Sequence, residues 1–226
     1  MKAPILVTVA CTVVALPACS KPEPPPALED NTPAITSVFT CAADDESTTF
    51  VVRTLNTDLA LWLPPRFDRP YLVLEHVPAA SGAKYESGDV MVWLHGQEAM
   101  LTVDGTTYKA CQRDAYASIW EHAKLDGVDF RATGNEPGWV LEIRNRNSLV
   151  LDYDYGESRI ETVLSGPVED HAQQRTNYSA DVNGQPLTIE ISATECTDSM
   201  SGFEFESTVT VNIGGRTLQG CGRALH

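Results

Sequence analysis

The chain has 226 residues, with 16 basic against 31 acidic side chains and a formal charge of −15. That balance argues against a nucleic-acid partner, whose phosphates call for a basic surface, and favours a basic protein partner. The roughly 190 residues from position 36 onward suffice for one large domain or two small ones, and the pattern favours two.

The first twenty residues, MKAPILVTVACTVVALPACS, carry one Lys, an uncharged apolar run from Pro4 to Leu16, and small residues before Cys19. The run is too short to span a bilayer and reads as an export signal over residues 1–18. Leu16 to Cys19, LPAC, resembles the bacterial lipobox, in which cleavage precedes the cysteine and its thiol is lipidated. Pro17 departs from the usual small residue, and an ordinary secretory signal cut near Ala18 is the alternative. Lipidated Cys19 would anchor the chain, and Ser20 in place of Asp points by analogy to the outer membrane, facing the periplasm. Residues 19–35 are rich in Pro and acid, and read as an extended tether.

Export also sets the redox compartment. Cys11 leaves with the signal and Cys19 is lipidated, so Cys41, Cys111, Cys196 and Cys221 remain, with three connectivities open to them. Two lie early and two late around a plausible domain break, which favours Cys41 with Cys111 and Cys196 with Cys221. No Cys-x-x-Cys or paired-His spacing argues for zinc, and no metal or cofactor is expected.

Short alternating apolar runs follow: TTFVVRTL, LALWL, PYLVLEHV, VMVWLH and AMLTVDGTTYKAC, with Asp104-Gly105 as a hairpin signal. They predict a β module over residues 36–114. Asp114 to Gly127, DAYASIWEHAKLDG, predicts a connecting helix over 115–127, capped by Asp114, ended by Gly127, with Tyr116, Ile119, Trp120 and Ala123 at helical spacing. Strand patterns resume in GWVLEIRN, SLVLDYDYG, RIETVLSG, PLTIEISA and FESTVTVNIGGRTLQGC, with turns at Asn183-Gly184 and Gly214-Gly215. The expected architecture is all-β: two small antiparallel barrel-like domains joined by a short helix, the second over 128–226.

Within the first module FTC, AASGAKY, WLHGQEA and DGTTYKAC occur in that order between Phe39 and Cys111. This set resembles the MliC/PliC family of periplasmic and lipid-anchored inhibitors of c-type lysozyme. The resemblance implies a barrel of about eight strands, closed by a disulfide between the first and last motifs, Cys41 with Cys111. It further implies that the Ser of the SG loop and a Lys in the aromatic strand enter the lysozyme cleft and engage its catalytic carboxyls. The Ser corresponds to Ser81, whereas the Lys position holds His95.

A glycosidase of this class needs one protonated and one ionised acid, which a hydroxyl and a cation on neighbouring loops can block. Imidazole carries full charge only near or below roughly pH 6.5, so inhibition is expected to strengthen in acid. Gly82 shapes the loop, Lys84 is a second candidate cation or merely a solvated charge, and Tyr85 is a candidate interface ring. Trp93 is expected in the core, and His76 and His122 are expected to be packed or hydrogen-bonded. Ser81, His95 and Asp89 could be imagined as a triad, but no nucleophile elbow supports one, and the chain is not expected to be an enzyme.

The second module carries NEPGW (Asn135 to Trp139) and GCGR (Gly220 to Arg223), marks that resemble an uncharacterised bacterial envelope domain without a known activity. Asn135, Glu136 and Trp139 read best as a turn entering a strand with Trp139 in the core. The alternative to a lysozyme inhibitor is an envelope lipoprotein with a binding or structural role that lacks inhibition.

Overall fold

The structure, a computed structural model, describes residues 33–42 and 47–226; the signal segment, Cys19 and the tether up to residue 32 lie outside them. The first eight strands are β1 (Thr36–Cys41), β2 (Thr48–Leu55), β3 (Asp58–Trp62), β4 (Tyr71–Val77), β5 (Ala83–Ser87), β6 (Val90–His95), β7 (Glu98–Val103) and β8 (Thr106–Asp114). They form a closed antiparallel barrel in chain order, and β1 pairs back onto β8 with Val38 opposite Asp114. Closure follows from the alternation: β6 buries Val90 and Val92 while Met91 and Trp93 turn outward.

Phe39 and Phe50 stack at 5.5 Å in the interior, and Leu59, Leu61, Leu74 and Leu101 are completely buried there. Each such leucine contributes roughly 2 kcal/mol of apolar transfer. The barrel is therefore filled, leaving its rims to carry any binding. Cys41 and Cys111 form the expected disulfide at the barrel seam, both fully buried.

Antiparallel register sorts the turns between two ends. At one lie the 56–57 turn, the 79–82 loop, the 95–98 turn and the end of β8; at the other lie the 64–70 loop and the turns at Asp89 and Asp104. The chain enters at the first end, where Ile35 exchanges hydrogen bonds with Thr54: its N–H reaches the Thr54 hydroxyl at 2.8 Å and its carbonyl accepts the Thr54 N–H at 3.0 Å.

β8 runs directly into α1 (Ala115–Leu125), the helix the spacing predicts. Asp114 caps it, accepting the Ala117 N–H at 2.8 Å, and Gly127 follows with a left-handed φ of 78°. Trp120 and Ala123 are buried as expected, but Ile119 is 52% exposed and Ser118 takes its place inside. The reason is polar: the Ser118 hydroxyl donates to the Asp114 carbonyl and accepts the Val38 N–H at 2.9 Å, so it must face β1.

The second region contains β9 (Val128–Asn135), β10 (Gly138–Arg144), β11 (Ser148–Tyr153), β12 (Ser158–Val163), β13 (Val168–Asp170), β14 (Arg175–Val182), β15 (Gln185–Ser192), β16 (Cys196–Thr197), β17 (Glu204–Phe205), β18 (Ser207–Ile213) and β19 (Arg216–Ala224). Nine of these make one curled sheet in the order β12-β11-β10-β9-β19-β18-β15-β14-β13, while β16 and β17 pair separately. The predicted turns form at Asn183-Gly184 and Gly214-Gly215, all four residues with positive φ. The Ser165 N–H donates to the Ser179 carbonyl at 2.7 Å, which draws the β12 side toward β14.

Trp139 is 3% exposed, in the core as the sequence predicts. It lies in a slot that only glycine allows: a Cβ on Gly220 would sit 2.1 Å from the Thr133 carbonyl and 2.7 Å from the indole, and one on Gly134 would meet the same ring. NEPGW and GCGR are thus two halves of one packing motif. Cys196 and Cys221 form the second expected disulfide. Trp120, Ala123, Val128, Phe205, Cys221 and Leu225 pack as one cluster, uniting α1 with the second sheet.

Candidate functional site

The 79–82 loop joins β4 to β5 and leaves Ser81 exposed. Its position is set from below by the Trp93 indole, whose Nε1–H donates to the Ser81 carbonyl at 2.8 Å. Gly82, at φ 68°, passes so close to β6 that a Cβ there would lie 2.3 Å from the Leu94 carbonyl and 3.1 Å from the His95 ring. A side chain at this position would push the loop off the strand. Glycine thereby brings Ser81 and His95 to a common surface cavity of about 300 Å³, lined also by Trp93, Glu98, Ala99 and Met100.

His95 is exposed and stands opposite Glu98 across the β6–β7 turn. Glu98 is held in turn by the Gln112 amide, whose Nε2 donates to its Oε1 at 3.1 Å. The site therefore contains a hydroxyl, an imidazole and a carboxylate tethered to β8. A hydroxyl and an imidazole on this rim can donate hydrogen bonds outward, and the imidazole adds charge when protonated.

Trp93 departs from the expected core placement. It is half-buried on the outer face, where β6 alternation puts it, and its work is to support the loop. Tyr85 departs in the other direction: only 8% exposed, it belongs to the barrel core with its ring edge-on to His76 at 5.4 Å. Burial, aided by the nearby charge of Asp58, raises its hydroxyl pKa. It stiffens β5 instead of facing a partner. Lys84 is half-buried with its Nζ 2.5 Å from Glu86 Oε1, so its charge is already engaged on its own strand. His122 meets the Thr36 hydroxyl at 3.2 Å.

Asp89 lies at the opposite end of the barrel from Ser81 and His95, a β5 length of roughly 15 Å away. Its carboxylate is paired with Arg69 at 2.8 and 3.0 Å, which holds its pKa below the usual carboxylate range. These three residues form no triad. Among the described residues, no group of three or more His, Cys, Asp or Glu is placed to hold a metal ion. No described helix is long and apolar enough to cross a membrane.

Two residues of this rim, Glu98 and Gln112, were not singled out by sequence. Their signal was available only as register, since Glu98 and Gln112 become opposite partners when β7 and β8 pair.

The geometry defines a small closed β-barrel with a rigid, solvent-facing loop at one rim. Residues 39–110 match the family model described as membrane-bound lysozyme-inhibitor of c-type lysozyme, MliC, so the resemblance read from the motifs holds for the barrel. The crystal structure of Pseudomonas aeruginosa MliC in complex with hen egg white lysozyme is 26% identical, with 47% of this chain and 99% of that chain covered and a TM-score of 0.28. A comparison with curated proteins finds no match.

Proposed function

We propose that the chain inhibits c-type lysozyme, with the Ser81 loop and His95 entering the active-site cleft and engaging its two carboxyls. The observation that carries this reading is the shared cavity: within the MliC-matching barrel, Trp93 and Gly82 fix Ser81 beside His95 on an exposed rim. A protonated carboxyl accepts a hydrogen bond from the Ser81 hydroxyl, and an ionised one pairs with the imidazolium of His95. Because the Ser81 loop is held in place before contact, little ordering entropy is lost there on binding.

The net charge of −15 adds attraction to a basic enzyme, which speeds encounter and makes it salt-sensitive. The proposal extends to anchoring through Cys19 at the outer membrane, facing the periplasm, with residues 36–114 as the inhibitory domain, 115–127 as the connecting helix and 128–226 as a second domain. Ser81, Gly82 and His95 carry the contact; Lys84 and Tyr85 support the loop strand.

The test is lysis of a cell-wall suspension by a c-type lysozyme, with and without residues 20–226. Protection at stoichiometric excess is expected, and absence of protection at both pH 5.5 and pH 7.5 rejects inhibition in favour of an envelope lipoprotein that only binds or supports. His95→Lys separates the charge from the fold. It is expected to inhibit about as well as wild type at pH 5.5 and about tenfold better at pH 7.5, since lysine keeps its charge at both. Equal inhibition constants for the two proteins across that range would remove the pH-dependent charge of residue 95 from the mechanism.

A further inference from the structure

The 198–203 loop between β16 and β17 holds Met200, at 80% the most exposed large apolar side chain among the described residues, and Phe203, at 45%. Hydrogen bonds tie its two ends together. The Asp198 N–H donates to the Phe203 carbonyl at 2.9 Å, and the Gly202 N–H donates to the Asp198 carbonyl at 2.8 Å. The Asp198 carboxylate, in a residue only 7% exposed, accepts from the Ser201 N–H at 2.8 Å, from the Ser201 hydroxyl and from the Asn135 amide. The Cys196–Cys221 disulfide fastens the base of the lobe to β19. An apolar tip held rigidly in water adds nothing to a core, whereas a pre-ordered tip binds at low entropic cost.

The position of this tip is as informative as its rigidity. The Phe203 ring stacks on Tyr116 in the first turn of α1, centroids 4.1 Å apart and 11° from parallel. Asp114 caps that turn, and the preceding Arg113 donates its N–H to the Gln97 carbonyl at 2.9 Å, in the turn that follows His95. From His95 to Met200 the path is therefore a run of bonded neighbours, backbone hydrogen bonds and one ring stack. The lobe thus stacks on the helix start that follows β8, and β8 ends at the barrel end that carries Ser81 and His95.

We infer that the 198–203 loop is a second contact surface for the c-type lysozyme engaged by the Ser81–His95 rim, with Met200 as its apolar anchor. This rests on the lysozyme reading of the barrel. Charge favours that partner over a second copy of the chain: Glu195, Glu204 and Glu206 are exposed around the lobe, so two copies would bring like charges together, while a basic enzyme meets opposite ones. A barrel inserted in the cleft would leave the enzyme's rim free for a lobe joined through α1 to the same barrel end.

The experiment uses residues 20–226 as wild type, Met200→Ser, Met200→Arg and His95→Ala, titrated calorimetrically against hen egg white lysozyme, with sedimentation to follow self-association. Met200 is so exposed that both substitutions should leave the melting temperature unchanged. Met200→Ser is expected to weaken binding by about fivefold and Met200→Arg by more than about tenfold, the size of a single well-placed apolar contact and of an added like charge. If wild type binds, His95→Ala binds more weakly and both Met200 variants match wild type, the loop assignment is overturned while the barrel reading stands. If wild type does not bind at all, both fall. Concentration-dependent dimers abolished by Met200→Arg, with lysozyme affinity unchanged, would assign the loop to self-association and likewise overturn the inference.

Discussion

The barrel and the curled sheet use similar strands to opposite ends. In the barrel, β1 closes on β8, no edge is left, and the motif residues Ser81, Gly82 and His95 stand on an open rim. In the sheet, β12 and β13 remain as edges, and the motif residues Gly134, Trp139 and Gly220 are spent on internal contact. A glycine-rich signature can therefore mark either a presented loop or a tight slot. Only the atoms that face the missing Cβ tell the two apart.

The disulfides offer the largest way to test this contrast. Replacing both Cys41 and Cys111 by Ser opens a separation of 70 residues, against 25 for Cys196 and Cys221. The chain-entropy model assigns these about 4.4 and 3.5 kcal/mol, so denaturant unfolding should show the barrel to be the more dependent on its staple. A greater loss for the Cys196–Cys221 pair would reverse the comparison.

Next come the glycines. Gly220→Ala drives a methyl into the Thr133 carbonyl and the Trp139 ring, and should cost about 3 kcal/mol by overpacking while leaving lysozyme inhibition in place. Gly82→Ala meets the Leu94 carbonyl at a left-handed φ, and should cost about 2 kcal/mol while abolishing inhibition, because the Ser81 loop is displaced. Parallel melting and lysis assays on the two variants should separate a packing glycine from a presenting one. Equal activity in both would erase the distinction.

The smallest effect is in acid. Among the described residues, Asp198 is the one buried carboxylate. Burial disfavours its charge, but the hydrogen bonds from Ser201 and Asn135 outweigh that and hold its pKa below the usual carboxylate range. A depressed folded pKa means that its contribution is complete above about pH 4 and is lost as pH falls through the lower folded value. Asp198→Asn should cost about 1.5 kcal/mol at neutral pH, and the difference from wild type should shrink below pH 4. A constant difference down to pH 2 would deny the carboxylate that role.

Much of the fold could be read from period and spacing. Strand alternation, the Asp-Gly and Asn-Gly turns, the capped helix and both disulfides all express local chemistry, and local chemistry survives in sequence. Where structure and sequence pattern differ, the side a residue takes is set by strand parity or by a distant partner and not by its residue type. Trp93 has the composition of a core residue but falls on the outward parity of β6; Tyr85 sits in a loop-like motif but falls on the inward parity of β5. Ile119 yields to Ser118 because a backbone N–H on β1 requires a partner. The Glu98–Gln112 contact and the Phe203–Tyr116 stack join segments 14 and 87 positions apart, and no local pattern encodes such meetings.

The end at which the chain enters the barrel sets a clearance. Ile35 lies at the same barrel end as Ser81 and His95, so an enzyme seated on that rim shares its space with whatever the preceding chain is fastened to. The tether proposed for residues 19–35 can reach at most roughly 60 Å, and a small globular enzyme is about 30 Å across. On the proposed anchoring, tether length would act as a size filter: cutting it to about a third, roughly 20 Å, should exclude lysozyme from the membrane-anchored form and leave the soluble form fully active.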